Sequence, residues 1–422
     1  MATSAVEFFF GSDLLATGIV VFAGCCAVLV AARPFSCLRS AASVPQNFIT
    51  FQQNYLFVVL LCNFSDWLKG PYSYALYKSF NFDQWHIAFL FSTGYASSLL
   101  FGTVVGSLSD KFGRRYTCQV FCIVFILSAV TKVHDSFFVQ IVGRILSGVA
   151  ASILHTVFET WMIHEHRRRK FSEDLIADTF SKHTLGNGIA AITAGLAAQF
   201  FSRFGYCVPF VVAVPFLVLA CLKIRAWEEN YGDRKTSNGK TMLKAVNLVI
   251  RFPTLRWLGM CQSTFEAAMF LWVFYWTPAL ESIDYPTAPL GLLFAVFMVS
   301  LMVGSSIVHL IKWENAALIV HLTSLLSMTA IYALYATKNV VLILCVLFET
   351  AVGGYYPLHG SLRAEFIPDT CRSTVTNLFR FLMNTIVVSV LWFAPPTRTA
   401  FLILAVLHFV SLMSFIKFMV NR

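Results

Sequence analysis

Apolar runs of about twenty residues, separated by short polar stretches, recur along the whole 422-residue chain. They lie near 14–32, 50–68, 86–108, 116–133, 137–163, 177–201, 206–224, 254–280, 289–311, 316–335, 340–361, 374–394 and 400–420. A helix rising about 1.5 Å per residue crosses a hydrocarbon layer of roughly 30 Å with a run of this length. The pattern therefore predicts one leading helix followed by a set of twelve. The leading run from Leu14 to Ala32 is uncharged; Glu7 and Asp13 precede it, and Arg33 and Arg39 follow. With no basic stretch ahead of it, it reads as a retained anchor and not as a cleaved signal peptide. The longest polar break, 225–250, falls after the sixth helix of the twelve. The expected layout is an anchor helix and loop over 1–49, a six-helix half over 50–224, a central linker over 225–250 and a second six-helix half over 251–422. This is an all-α polytopic membrane protein, built like a transporter assembled from repeats.

Composition agrees with that reading. Hydrophobic residues make up 58% and charged residues 12%, against about 45–50% and about 25% in soluble domains. The net charge of +10 raises the question of nucleic acid, but the basic residues lie in short loops between apolar runs. With the 33–50 loop placed inside and the sides alternating, 21 Lys and Arg fall inside and 6 outside; the other four (Arg144, Lys182, Arg256, Arg380) lie within helices. That bias fixes an expected orientation and excludes a nucleic-acid face. The 11 cysteines are scattered, many within apolar runs (Cys62, Cys122, Cys345), with no C-x-x-C pair and no His at zinc spacing. They read as small buried hydrophobes. The sequon Asn63-Phe64-Ser65 lies inside an apolar run, so no glycan is expected there.

Ionisable groups inside spans each cost about 2.5–3.5 kcal/mol when uncompensated. Asp66, Glu159, Glu266, Glu349, Arg144, Lys182 and Arg380 are of this kind, so they should face a polar cavity or one another. Four aromatic-acidic pairs (Ser65-Asp66-Trp67 after Phe64, Phe158-Glu159, Phe265-Glu266 and Phe348-Glu349) fall on the first, fourth, seventh and tenth of the twelve helices, an echo of three-helix repeats. Lys182 with Asn187 and Arg380 with Asn384 echo one another in the fifth and eleventh. Arg380 and Lys182, joined by Asn187, Asn377 and Asn384, are the candidate anion-binding groups, since guanidinium and ammonium donors suit a tetrahedral oxyanion. Glu159, Glu266, Asp66 and Glu349 are the candidate proton carriers. His155, His183 and His309 read as packing residues. His164-Glu165-His166, followed by Arg167-Arg168-Arg169-Lys170, reads as a helix end and not a metal site, because i and i+2 point to different sides.

The strongest local motif is Gly106-Ser-Leu-Ser-Asp110-Lys111-Phe-Gly113-Arg114-Arg115. Every position is similar to the loop 2–3 signature of the major facilitator superfamily. The resemblance implies a major facilitator fold and a cytoplasmic gate, with Asp110 clasping the opposite half. Gly143-Arg144, Gly148 and Ser152 resemble a second superfamily motif, whose Arg is linked to proton coupling; Arg144 is grouped here with the gate. The Gly-Pro signature of drug antiporters is missing from the fifth helix, which reads Gly186-Asn187-Gly188. A narrower resemblance covers most of the chain. Asp66-Trp67-Leu68-Lys69-Gly70-Pro71-Tyr72, Phe158-Glu159-Thr160-Trp161-Met162-Ile163-His164-Glu165-His166, Trp276-Thr277-Pro278, Ala288-Pro289-Leu290-Gly291 and Ile367-Pro368 look like the molybdate-anion transporter branch.

That resemblance implies secondary transport of molybdate by alternating access, with proton coupling as a further expectation. The alternatives are transport of another oxyanion, a sugar or a metabolite, or a transport-inactive receptor or scaffold. No nucleotide loop, catalytic triad or zinc cluster appears, so neither enzyme activity nor a cofactor or metal is expected. The expected partners are a small anion, protons and the lipid bilayer, with a monomer as the unit. The cell (plasma) membrane is the default location.

Overall fold

In the computed structural model, the described residues are 22–24, 26, 45–232, 246–282, 289–334, 338–368 and 372–422. Most of the leading run 14–32 and the centre of the linker lie outside them. The chain divides into two compact units, one within Pro34–Thr236 and the other within Ser237–Arg422. The first contains α1 (Gln46–Leu68), α2 (Ser73–Ser79), α3 (Gln84–Phe112), α4 (Arg114–Thr131), α5 (Phe137–Leu154), α6 (Val157–Arg168), α7 (Asp174–Phe201) and α8 (Val208–Ile224). The second contains α9 (Pro253–Ser282), α10 (Leu290–Ile307), α11 (Trp313–Ala333), α12 (Lys338–Phe366), α13 (Arg372–Phe393) and α14 (Thr397–Val420). All twelve expected spans are met by helix.

Among the described residues, only eight of these spans are both long and apolar enough to be recognised by composition alone. The others have physical reasons to fall short. α3 bends by 51° between Gln84–Gly102 and Val104–Phe112, and α8 is a short apolar helix of 17 residues. α1 and α9 bury polar side chains, among them Gln52 and Asn63 in α1 and Gln262 and Glu266 in α9. They are spans whose polar groups face protein instead of lipid.

The run read as one helix over 137–163 is two helices, α5 and α6, parted at His155 and Thr156. Two hydroxyls bond back to the turn before: Ser152 Oγ to the Gly148 carbonyl at 3.0 Å and Thr156 Oγ1 to the Ser152 carbonyl at 2.7 Å. Such back-bonding competes with the helical ladder and bends it. The short helix α2 follows Pro71 and lies outside the expected runs.

Packing repeats between the units. In the first, α3 packs on α5, α4 on α5, α1 on α7, and α8 on both α1 and α4. In the second, α10 packs on α12, α11 on α12, α9 on α13, and α14 on both α9 and α11. These are the same neighbours, helix for helix. The α3–α5 and α10–α12 contacts both depend on missing side chains. A Cβ on Gly148 would lie 2.6 Å from the Gly94 carbonyl oxygen, and one on Gly304 would collide with the Thr350 carbonyl. Close backbone approach through small residues is how membrane helices gain van der Waals contact when lipid offers no hydrophobic drive.

Gly304→Ala is expected to lose about 1–3 kcal/mol, since backbone must move to admit the methyl group. The measurement is the thermal unfolding midpoint of purified protein, with Gly360→Ala, where the nearest atom is Arg363 Nη2 at 3.9 Å, as the control expected to hold its midpoint.

Candidate functional site

The turn from α3 to α4 is held from three sides. Arg114 donates to Asp110 Oδ1 from Nη2 at 2.8 Å and from Nε at 3.0 Å. Glu229, from the segment after α8, accepts the Arg115 amide at 2.8 Å and the Tyr116 amide at 3.1 Å. These are first-turn N–H groups of α4 with no partner inside the helix, and a carboxylate there meets the positive end of the helix dipole. Gly113 makes the arrangement possible. Its φ of +108° is poorly suited to other residues, and a Cβ there would lie 2.5 Å from the Glu229 carboxyl carbon. Lys111 is exposed, its ammonium 5.4 Å from the Phe112 ring centre.

The same segment is tied to α6. Trp227 stacks on Trp161 with ring centres 3.9 Å apart, and Trp161 Nε1 donates to the Glu228 carbonyl at 3.0 Å. Arg168 bridges Glu228 and the fully buried Glu165, which also holds Arg169 at 2.7 Å. The hydrogen bond from Arg168 holds the Glu228 carboxyl below its ordinary range. As pH falls, this link persists through the usual carboxylate titration and is lost only below the lowered value.

Arg144 does not belong to this turn, which corrects its grouping with the gate. Its Nε donates to the Leu90 carbonyl at 3.1 Å, and its guanidinium lies 4.1 Å from the Phe91 ring centre. Leu90 precedes Asp110 by twenty residues on α3, about 30 Å along the helix. Arg144 instead lines a small cavity with Lys69, Lys132, Ser65, Ser128 and Ser147. Lys69 pairs with Asp66 at 2.5 Å and donates to Ser147 at 3.2 Å. Lys132, 4% exposed, donates only to neutral groups, Tyr77 Oη and Gln140 Oε1, both at 2.9 Å. Among the described residues no carboxylate pairs with Lys132 or Arg144.

The remaining candidates of the first unit are separate from one another. Lys182 pairs with Asp178 at 2.7 Å and bonds Gln52 Oε1 at 2.9 Å. Asn187 accepts from the Trp67 indole at 2.9 Å. Five residues apart on α7, the two point to different faces, so the sequence pairing of Lys182 with Asn187 does not form one site. Glu159 is exposed in the first turn of α6, with no hydrogen bond or ion pair to a described residue. His183 meets Asn63 Nδ2 at 3.0 Å and His155 is exposed. The side chain of His309 lies outside the described set. Gly106 lies in open space within α3.

In the second unit, Asn377, Arg380 and Asn384 follow one another at spacings of three and four on α13, which makes one stripe. Asn377 and Arg380 are exposed; Asn384 is half-buried and donates to the Arg380 carbonyl at 2.8 Å. The Arg380 guanidinium makes no hydrogen bond or ion pair with a described residue, while its charge acts on Glu266. Glu266, 8% exposed, accepts from Tyr355 Oη at 3.3 Å and lies 3.8 Å from Arg363 Nη1. Glu349 is buried and accepts from Trp272 Nε1 at 2.7 Å.

A family model described as sugar transporters with twelve transmembrane segments matches residues 18–352. A molybdate-anion transporter of Xenopus laevis is 32% identical over 374 residues, covering 83% of this chain and 82% of that one. The chain belongs to the major facilitator superfamily, in its molybdate-anion transporter branch. A second member of that branch, from Takifugu rubripes, is 31% identical over 405 residues, covering 87% and 84% of the two chains. The two descriptions name different solutes, and what they share is that both are transporters. Among solved structures, a D-xylose–proton symporter superposes with a TM-score of 0.70 at 12% identity, covering 89% of this chain and 98% of the other. A point mutant of the nucleoside transporter NupG superposes at 0.69 with 11% identity, covering 87% and 98%. At that identity they establish the shared fold alone.

For a member of this superfamily the α3–α4 motif was legible from sequence, but its partners were not. Glu229, Glu228 and Trp227 sit in what reads as a polar linker, more than a hundred residues from the turn they hold. Lys132 reads as a loop residue, being the C-cap of α4. A Lys flanked by apolar sequence on one side and by Gln140 eight residues on was the available signal. Replacing Glu229 by Ala removes two charge-assisted hydrogen bonds, each worth about 1.5–3 kcal/mol. Amide exchange at Arg115 and Tyr116 is therefore expected to quicken at least about tenfold, and unchanged protection would show that the carboxylate does not hold the turn.

Proposed function

We propose that this chain is a secondary transporter that carries molybdate across a membrane by alternating access. The relatives named for that anion support the solute. The structural observation that carries the reading is cationic groups in spans without a described ion-pair partner: Arg144 meets only the Leu90 carbonyl and aromatic faces, and the Arg380 guanidinium acts on Glu266 only from beyond ion-pair distance. Uncompensated charge is costly in a bilayer, and an oxyanion is the complement these groups lack. A neutral sugar would leave them as they are. The unit proposed is a monomer in the cell membrane.

Arg380, with Asn377 and Asn384 on its stripe, is assigned the anion contact in the second half. Its planar fork suits two oxygens of a tetrahedral anion at once. Lys182 reaches an anion only by giving up Asp178, and Asn187 only by releasing Trp67, so both are assigned secondary roles. Asp110, Lys111, Gly113, Arg114 and Arg115 form the gate turn, latched by Glu229.

Proton coupling is assigned first to Glu266. With no anion present, its carboxylate balances Arg363 and Arg380. When an anion takes Arg380, Glu266 loses part of that compensation and gains a negative neighbour, so a proton must join it. Asp66, paired to Lys69, offers the corresponding exchange in the first half. Glu349 and Glu159 lack a cation partner among the described residues and are assigned no exchange.

The test is uptake of labelled molybdate into proteoliposomes at nanomolar concentration, with and without an inward proton gradient. Arg380→Ala is expected to weaken apparent affinity about 10–100-fold, the loss of a charge-assisted bidentate contact, and tungstate is expected to compete. Glu266→Gln is expected to keep downhill exchange of molybdate while losing accumulation driven by pH. Folded protein that takes up D-xylose but no molybdate would overturn the solute assignment.

A further inference from the structure

Three helices of the second half bring together side chains that the transport reading does not use. Cys261 on α9, His321 on α11 and His359 on α12 are all buried to 1% exposure or less. One donor atom from each, Sγ and two imidazole nitrogens, lies within 4.8 Å of the others. Cys261 Sγ is 3.5 Å from His321 Nε2, and His321 Nε2 is 3.4 Å from His359 Nε2.

Hydrogen bonding accounts poorly for this arrangement. A single imidazole nitrogen either donates once or accepts, and here one nitrogen faces a sulfur and another nitrogen. The nitrogen–nitrogen separation of 3.4 Å exceeds the usual 2.7–3.2 Å of a good N–H bond. Donors around one metal ion account for these two separations. With metal–nitrogen bonds of about 2.0–2.1 Å and a metal–sulfur bond of about 2.3 Å, trigonal to tetrahedral angles separate the donors by roughly 3.4–3.8 Å.

The surroundings of His321 are those of a ligated imidazole, while the outer nitrogen of His359 is buried without a hydrogen-bond partner. The far nitrogen of His321, Nδ1, meets Ser411 Oγ at 3.3 Å, and that hydroxyl donates onward to the Cys261 carbonyl at 2.9 Å. An outer hydrogen bond of this kind fixes the tautomer and turns Nε2 inward. His359 is held by stacking on Tyr355, ring centres 4.1 Å apart. Phe265 and Phe415 close on the His321 ring at 5.4 and 5.0 Å.

We propose that Cys261, His321 and His359 form a buried site for one Cu(I) ion. Thiolate and imidazole ligands select soft and borderline metals. One thiolate with two neutral imidazoles carries a single negative charge, and a monovalent ion cancels it. A dry apolar shell favours that neutral assembly over one that leaves a divalent ion's extra charge buried. Three donors also suit an ion content with low coordination. None of its three ligands is assigned to the solute, although Tyr355, stacked on His359, also donates to Glu266; metal binding is read directly, so its test does not depend on the solute carried.

The experiment is an anaerobic Cu(I) titration of the purified full-length chain against a chromophoric chelator, with bound metal counted by mass spectrometry. One equivalent of Cu(I) is expected, with one sulfur and two nitrogens in its X-ray absorption spectrum. Cys261→Ser and His359→Gln, each verified as monodisperse, should lose at least about tenfold in affinity. His408→Gln, which changes a buried histidine outside the group, should retain it. Cu(I) bound as tightly by both ligand variants, or Zn(II) retained in its place, would overturn the proposal.

Discussion

A charge placed among helices that cross a bilayer must be met by another group, and this constraint decides where most of the polar side chains lie. Glu165 has no exposure at all, and Arg168 and Arg169 both reach it. Asp66 holds Lys69, and Asp178 holds Lys182. The most polar spans, α1 and α9, are kept inside their bundles for the same reason, with Gln52 bonded to Thr179 at 2.9 Å and Ser263 to the Phe379 carbonyl at 2.9 Å. Lipid takes the apolar faces, and the interior is where the chemistry accumulates.

The two halves solve this problem differently on one packing plan. Their helices have the same neighbours, and each places glycine where its second and fourth spans meet. The first half pairs charge with charge along α1, α6 and α7, leaving Lys132 and Arg144 to neutral groups. The second half relies more on neutral groups: an indole on Glu349, a phenol on Glu266 and three fully or nearly fully buried histidines. The first half's turn between its second and third spans is latched by Glu229. The corresponding stretch of the second, Gly304 to Glu314, has a short 3-10 turn at Val308–Leu310 and keeps Gly304 and the basic Lys312 but neither the Asp-Lys pair nor the Gly-Arg-Arg run. The helical frame is common to the two halves, while each has its own polar interior.

What the sequence made legible follows the same division. Apolar runs repeat at the length a bilayer imposes, so twelve spans can be read without any partner being known. The α3–α4 motif is local and its glycine turn is readable as written, but Asp110, expected from the resemblance to clasp the opposite half, is here paired with Arg114 four residues on. Long-range partners are not. Glu229 is 114 residues from the Arg115 amide it caps. Cys261, His321 and His359 come from three different helices, at spacings that match no metal motif. Lys182 shows the opposite error. Its charge is plain in the sequence, but Asp178, one turn earlier on the same face, already compensates it as an i,i+4 pair. Arg144 was assigned by motif, although its position near the start of α5 places it at the other end of α3 from the gate.

Charge arithmetic also bears on the proposed coupling. A dianion moving into a negative interior does work of about 2.3 kcal/mol per charge at 100 mV, roughly 4.6 kcal/mol in all. A single proton on Glu266 offsets half of that and leaves the cycle opposed by the membrane potential. Under the proposed coupling a second proton makes the cycle electroneutral, and Asp66, which pairs with Lys69 in the first half, is proposed as the matching acid. Each half then contributes one carboxylate that a cation holds until an anion competes for that cation. The order follows from the electrostatics: a proton that arrived before the anion would leave Arg363 and Arg380, or Lys69, uncompensated in the span. Occupancy by anion and by proton therefore favour each other, which is the linkage a symporter needs.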